Sequence, residues 1–311
     1  MSKLVFCLMG PTASGKTALA CELAQHFPFE IISVDSAMVY RGMDIGTAKP
    51  DSQTLAQTPH HLLDILDPPE SYSAALFCDD ANRLCQQMIA RARIPLLVGG
   101  TMMYFRALQQ GLSVLPAAND VVRSALLQQA QTFGWDHMHQ RLISVDPAAA
   151  KRIHPHDTQR IQRALEVYEL SGKPLSDFLS PAIAPSPYRF VNIILMPQQR
   201  QWLHEHIELR FQHMLAQGFV AEVEHLLQQW HLTPAHPSMR SVGYRQVIDY
   251  LHGDYDYPSL SLKAVAATRQ LAKRQLTWLR HWPEALFFSA QDAVVTGHII
   301  AEIRQILDNP Q

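Results

Sequence analysis

Eight consecutive residues, Gly10, Pro11, Thr12, Ala13, Ser14, Gly15, Lys16 and Thr17, satisfy the pattern G-x-x-x-x-G-K-[ST]. Glycines let a loop turn its backbone N–H groups inward around an anion, and a helix starting where the loop ends adds partial positive charge. The Lys16 ammonium supplies a full positive charge, and the Thr17 hydroxyl suits a Mg²⁺ ligand. The pattern predicts a cradle for a di- or triphosphate without saying which compound carries it. Two further residues close apolar runs that would end at the same cleft. Asp35 follows Ile31-Ile-Ser-Val34 and suits either a Mg²⁺ ligand or a general base. Thr101 follows Gly99-Gly100, where glycines allow close backbone approach and a hydroxyl can bond a ligand.

A second group of residues is basic and aromatic. Ser259–Trp282 carries Lys263, Arg269, Lys273, Arg274 and Arg280 and no Asp or Glu. On a helix Arg269, Lys273 and Arg280 share a face, with Trp278 nearby. Arg240-Ser-Val-Gly-Tyr-Arg245 adds two guanidiniums and a ring able to stack on a splayed base. Arg123, Lys151, Arg152, Arg160 and Arg163 form another basic group in mid-chain. The sixteen histidines include the pairs His137/His139, His154/His156 and His204/His206. Residues two apart on a helix point in different directions, and no CxxC or HExxH accompanies them, so they read as surface or polar-network residues. His60-His61 takes no role from the sequence.

The elements that must position these groups follow from hydrophobic patterning. Leu4–Met9, Glu30–Val34, Pro95–Val98 and Phe190–Met196 read as buried strands, with helices over Lys16–Phe27 and Ala74–Ala92. Strand–helix alternation predicts an α/β fold: a P-loop NTPase-like parallel sheet core with helices on both faces. Between Gly111 and Tyr188 the pattern turns to polar helices and ends in Pro181-Ala-Ile-Ala-Pro-Ser-Pro187, which reads as a stiff linker. The expected organisation is a core of residues 1–111 and 189–311 carrying a mostly helical insertion domain, 112–188. Helices dominate Arg200–Trp282, and the last thirty residues carry no clear signal.

A chain of 311 residues with 47% apolar and 17% charged residues can bury a core without staples. Its net charge of −2 excludes a globally basic nucleic-acid binder but not a local basic stripe. Four cysteines, with no CxxC, read as buried hydrophobes of a reduced, cytoplasmic protein. Leu4–Met9 is too short for a signal peptide, and no run reaches membrane-spanning length, so no membrane partner is expected.

The phosphate loop alone leaves three readings open: a kinase of a nucleotide or small metabolite, an ATP-driven RNA-binding module, and an enzyme with a pyrophosphate leaving group. Longer strings separate them. Met9–Thr17, Ile32-Ser-Val-Asp-Ser36, Gly42-Met-Asp-Ile-Gly-Thr-Ala-Lys-Pro50, Pro59-His-His-Leu-Leu-Asp64, Pro95–Thr101, Arg240–Arg245 and Thr268–Trp278 occur in that order. Together they resemble the bacterial tRNA dimethylallyltransferases, also called tRNA isopentenyltransferases. The resemblance covers roughly residues 4–282.

It implies transfer of a dimethylallyl group from dimethylallyl diphosphate to N6 of adenosine 37, beside the tRNA anticodon, with Mg²⁺ as cofactor. It implies Asp35 as catalytic base, Arg210 as a diphosphate-binding arginine and Thr101 as a contact to the target nucleotide. It further implies tRNA contacts along Asp35, Ser36, Ala37 and Met38, at Arg123, and along Gln159, Arg160, Ile161, Gln162 and Arg163. The C-terminal contacts would be Arg240, Ser241, Val242, Gly243, Tyr244 and Arg245, then Lys273, Arg274, Gln275, Leu276, Thr277, Trp278, Leu279 and Arg280. An adenine amine is a weak nucleophile, so catalysis is expected to rest on neutralising the departing pyrophosphate and positioning the amine. The base would be flipped out of a single-stranded loop. One chain supplies every group this chemistry needs, so a monomer is expected. A competing reading pairs Arg210 with Glu208 or another helix-surface carboxylate.

Overall fold

The computed structural model describes residues 3–113, 115–178 and 186–309. The chain divides into two compact units, Met1–Gln109 with Ser186–Gln311, and Gln110–Pro185.

The larger unit is built on a six-stranded sheet. In its N-terminal part, β1 (Leu4–Met9), α1 (Lys16–His26), β2 (Phe29–Val34), α2 (Ser52–Gln57), β3 (His60–His61), α3 (Ala74–Ala90), β4 (Ile94–Gly99) and α4 (Met102–Gln110) follow one another. Every residue of β1 is buried, as expected of an interior parallel strand covered on both faces. The Ser73 side chain caps α3 by accepting from the Leu76 N–H, and Arg91 ends the helix.

The smaller unit holds α5 (Asp120–Phe133), α6 (Trp135–Val145), α7 (Pro147–Arg152) and α8 (Thr158–Ser171). These helices close over a core of their own, including Leu126, Met138, Leu142, Ile161 and Leu165. Asp146 caps α7 through the Ala149 N–H at 2.8 Å. Of the expected Pro181–Pro187 linker, residues 181–185 lie outside the described residues.

The chain then returns to the sheet as β5 (Arg189–Met196). It continues through α9 (Arg200–Ala216), α10 (Phe219–Trp230), α11 (Tyr244–Leu251) and α12 (Tyr257–Leu279), and ends in β6 (Ala285–Ser289) and α13 (Val295–Asp308). All strand pairs are parallel, in the order β3-β2-β4-β1-β5-β6. Leu19 and Leu23 of α1 and Ile299 and Ile303 of α13 cover one face, packed on Phe6 and Leu8. Phe77 and Met88 of α3 and Phe105 of α4 cover the other, packed on Val5 and Cys7. Each such side chain contributes roughly 1.5–3 kcal/mol on full burial. A third apolar cluster joins α9 to α12 around Phe211, Phe219 and Tyr244.

Ala285–Ser289 and Val295–Asp308 are structured, contrary to the blank the last thirty residues leave in the sequence. Strand β6 sits at the sheet edge with four residues half-buried and one exposed, so it lacks the continuous apolar run of an interior strand. The four cysteines are free, and burial raises all four thiol pKa values. Among the described residues no helix is long and apolar enough to cross a membrane.

One polar knot holds the smaller unit. Glu166, fully buried, accepts from the Asn119 N–H at 2.8 Å and pairs with Arg123 at 3.0 Å and Arg163 at 2.8 Å. Burial by itself would raise this carboxyl, but the Asn119 bond and the two guanidiniums outweigh it and hold the pKa below 4.5. The folded protein therefore binds fewer protons here than the unfolded chain near pH 4.5. This stabilisation is complete above that pH and is lost as the pH falls through the folded value. Urea unfolding followed from pH 7 to pH 3 should show that loss, and Glu166→Gln should flatten it.

Candidate active site

The phosphate loop leaves the carboxyl end of β1, and Gly15 (φ +83°) lets the chain enter α1. Ala13 is also left-handed at φ +62°. Alternating conformations of this kind turn successive N–H groups to one side, the geometry of an anion nest. A Cβ on Gly10 would come within 2.7 Å of Ser14 Oγ and 3.0 Å of the Leu195 carbonyl oxygen, so only glycine fits there without displacement. The Lys16 ammonium donates to the Pro11 carbonyl at 2.6 Å. Burial first, and then the neighbouring Arg210 charge, push its pKa down to about 7 against the pull of Asp35.

Three loops meet at this edge because β2, β4 and β1 are adjacent and parallel. The connection from β1 runs to one side and that from β4 to the other, the switch point where open α/β sheets bind ligands. A Cβ on Gly99 would lie 2.1 Å from the Val34 carbonyl oxygen, and this close approach draws the ends of β2 and β4 together. Asp35 and Thr101 are thereby neighbours. The Thr101 N–H donates to Val34 O at 3.3 Å. Asp35 Oδ1 accepts from the N–H groups of Ala37 and Met38 at 2.8 and 3.2 Å, closing a turn. No bond to Oδ2 is found among the described residues. The carboxylate thus caps its own turn with one oxygen while it lines the cleft.

Arg210 reaches the cleft from α9 and donates to the Thr47 carbonyl at 3.0 Å. It does not pair with Glu208, which binds Arg269 at 3.1 Å. The competing reading of Arg210 is therefore corrected: helical rotation puts Glu208 on another side of α9. Burial lowers the Arg210 pKa, and Asp35 opposes this.

The loop presenting Thr47 is fastened by Glu222 of α10. Its Oε2 accepts from Asp44 and Ile45 N–H at 3.1 and 2.6 Å, and Oε1 accepts from Gly46 N–H at 3.1 Å and the Tyr244 hydroxyl at 2.6 Å. Gly46 lies so close beneath Phe219 and Tyr244 that a Cβ would meet them at 2.1 and 2.6 Å. Lys49, with its side chain 4% exposed, ties the loop's far end to Asp44 and Asp64, each at 2.6 Å.

Two connected wall surfaces result. Thr12, Lys16, Thr17, Asp35, His60 and Arg210 line a small cavity of about 80 Å³ over the phosphate loop. Asp35, Thr101 and Arg210 also line a larger one of about 460 Å³ with Met102, Ile207, Phe211, Met214 and Leu271 as apolar wall. Arg240, Arg274 and Trp278 stand at its rim, and the Arg106 guanidinium lies 5.6 Å from the Trp278 ring centre. Gly10, Pro11 and Ser14 are buried behind the loop, and Ser36 and Ala37 line the larger cavity.

Not every expected RNA-facing residue faces solvent. Tyr244 is fully buried with its hydroxyl on Glu222, so it supports the loop and is not a stacking platform. Leu276 and Leu279 form the inner face of α12, while Lys273, Arg274, Thr277, Trp278 and Arg280 are exposed. In the smaller unit Ile161 is core, Gln162 donates to the Arg123 carbonyl, and Arg123 and Arg163 serve Glu166. Gln159 and Arg160 are exposed there. The stripe over Ser259–Trp282 is not free of acids in space, because Arg269 meets Glu208. Ser241 and Val242 line the large cavity, Gly243 (φ +94°) starts α11, and Arg245 is exposed.

Sequence reasoning missed Glu222, the Thr47 carbonyl and the apolar wall. Glu222 sits in an ordinary amphipathic helix, and nothing local distinguishes it from a solvated acid. Among the described residues no three His, Cys, Asp or Glu side chains gather as a cation site. Thr17 offers a hard oxygen donor beside Asp35 in the small cavity, which suits a Mg²⁺ ion completed by phosphate oxygens and water.

The parallel sheet, the glycine-bearing loop at its switch point and the half-buried cations beside it define a P-loop-like α/β protein. Residues 38–282 match the family model described as IPP transferase, and the chain belongs to that family. It is 60% identical over 309 residues, 99% of each chain, to the tRNA dimethylallyltransferase of Legionella pneumophila (strain Paris). The solved full-length tRNA isopentenylpyrophosphate transferase of Bacillus halodurans is 35% identical, with a TM-score of 0.71 over 99% of this chain and 96% of that one. A eukaryotic dimethylallyltransferase solved acting on tRNA is 26% identical, with a TM-score of 0.79 over 98% of this chain and 78% of that one.

The supporting role of Tyr244 can be checked without touching its ring. Tyr244→Phe removes one hydrogen bond to the half-buried Glu222 carboxylate and should lower the unfolding free energy by about 1.5–3 kcal/mol, measured in urea.

Proposed function

We propose that this chain transfers a dimethylallyl group from dimethylallyl diphosphate to N6 of adenosine 37 in tRNA and releases pyrophosphate. The observation that carries the reading is a phosphate-loop cavity beside a larger, partly apolar cavity, with Asp35 and Arg210 lining both and Thr101 lining the larger. A kinase needs a second polar substrate site opposite its phosphates, whereas Met102, Ile207, Phe211, Met214 and Leu271 suit a hydrocarbon tail. The relatives named above are transferases, which also argues against the kinase and the ATP-driven module.

Bound this way, the diphosphate lies against the Gly10–Thr17 loop with Lys16 and Arg210 beside it. Mg²⁺, held by Thr17 and the diphosphate oxygens, would supply further neutralisation of the leaving group. The allylic C1–O bond breaks with its electron pair going to pyrophosphate, and a C1–N6 bond forms. Asp35, through Oδ2, receives the proton that N6 loses and passes it to water. Thr101, from the neighbouring strand end, donates or accepts a hydrogen bond at the target nucleotide and fixes its approach. Arg240, Arg274 and Trp278 at the rim hold the splayed anticodon loop by phosphate contact and stacking. Exposed Lys151, Arg152 and Arg160 in the smaller unit add phosphate contacts, and the whole reaction uses one chain in the cytoplasm.

The test is incubation with unmodified tRNA, Mg²⁺ and labelled dimethylallyl diphosphate, with ATP added to a parallel tube. Label should enter tRNA without ATP. Asp35→Ala should lower transfer by on the order of 10²–10⁴ while filter binding of tRNA stays near wild type. Phosphorylated product from the ATP tube, with no label in tRNA, would overturn the assignment.

A further inference from the structure

Gln275 projects from the C-terminal part of α12, and it lines both cavities. Its Oε1 accepts from the Thr12 N–H at 2.9 Å, and its Nε2 donates to the Gly100 carbonyl at 2.9 Å. One amide thus joins the phosphate loop to the residue before Thr101. These two backbone groups have opposite polarity. A primary amide carries an acceptor and a donor on adjacent atoms at neutral pH; a carboxylate would face the Gly100 oxygen with like charge, and Lys or Arg would face the Thr12 N–H with a donor. Gly100 is shaped to the bridge, since a Cβ there would come within 2.5 Å of Gln275 Nε2. Of the loop amides the bridge takes only that of Thr12.

We propose that Gln275 is a positioning residue that locks the phosphate loop to the end of β4, setting the separation between the diphosphate and the nucleotide-binding Thr101. This rests on the transferase reading above. In a two-substrate displacement the loop sets where the allylic carbon lies, and Thr101 and Asp35 set where the amine lies. A shift of one against the other misaligns the reacting atoms while each substrate still finds its own contacts. Half-buried Gln275 therefore faces the enzyme's own backbone, although it lies in a run otherwise suited to RNA contact.

The inference predicts a loss in turnover and not in affinity. Gln275→Leu keeps the bulk and removes both bonds. Gly100→Ala pushes the amide off the carbonyl from the other side, and because the clash is with the tip of a flexible side chain, the backbone can stay in place. Each variant should lower kcat for labelled transfer by on the order of 10- to 100-fold, with KM for dimethylallyl diphosphate and Kd for tRNA within about threefold of wild type. The double variant should be little worse than the more damaged single one, because both remove the same bridge. Turnover at the wild-type level in a folded variant would overturn the proposal. So would a defect confined to tRNA affinity, which would mean that Gln275 reads the nucleotide directly, or effects that multiply in the double variant. Should Gln275→Leu fail to fold by circular dichroism, Gly100→Ala decides alone on kcat against KM. Wild type run alongside separates the two layers: no label in tRNA from wild type sinks the transferase reading, whereas labelled wild type with fully active variants sinks only this one.

Discussion

Lys16 and Arg210, two cations, share the wall of one small cavity with a single carboxylate, Asp35. Burial lowers both pKa values, the Arg210 charge lowers that of Lys16 further, and Asp35 offsets this only in part. Such an arrangement persists only if the surrounding structure fastens each group, and the fold does so with neutral partners. Lys16 donates to Pro11 O and Arg210 to Thr47 O. Carbonyl dipoles orient a cation without cancelling its charge. The positive potential therefore remains available for an anion, which is what a reaction with a pyrophosphate leaving group needs before the bond breaks.

The rest of the larger unit serves that fastening. Glu222 gathers three N–H groups of the loop that presents Thr47, so the position of Arg210 depends on a carboxylate in a different helix. Gly99 lets β2 and β4 approach until Asp35 and Thr101 adjoin, and Gln275 links the phosphate loop to the same strand end. Each device acts on backbone groups, and backbone positions are what the sheet and its helices hold most rigidly. The site is thus preorganised by hydrogen bonds outside the reacting groups.

Much of this was legible in the sequence. The interior strands announce themselves as unbroken apolar runs because parallel strands are covered on both faces. The phosphate loop is legible because its chemistry is local: eight adjacent residues make the cradle. Edge strand β6 was not legible, since half-burial leaves no period to read over five residues. For the expected RNA contacts the strings name positions but not what each side chain faces. Ile161, Leu276 and Leu279 lie inward by helical rotation, and Tyr244 looks like a stacking ring until its burial is seen.

The sequence by itself carried the phosphate-loop pattern at the end of a buried strand and the resemblance to one transferase family over most of its length. Only the tertiary structure decided which charges meet. Thr12 and Gln275 are 263 positions apart, and Thr47 and Arg210 are 163 apart. Local patterning constrains dihedrals and burial within a few turns of chain, whereas a bond across such a span exists only once the sheet order and helix packing have brought the two ends to one place.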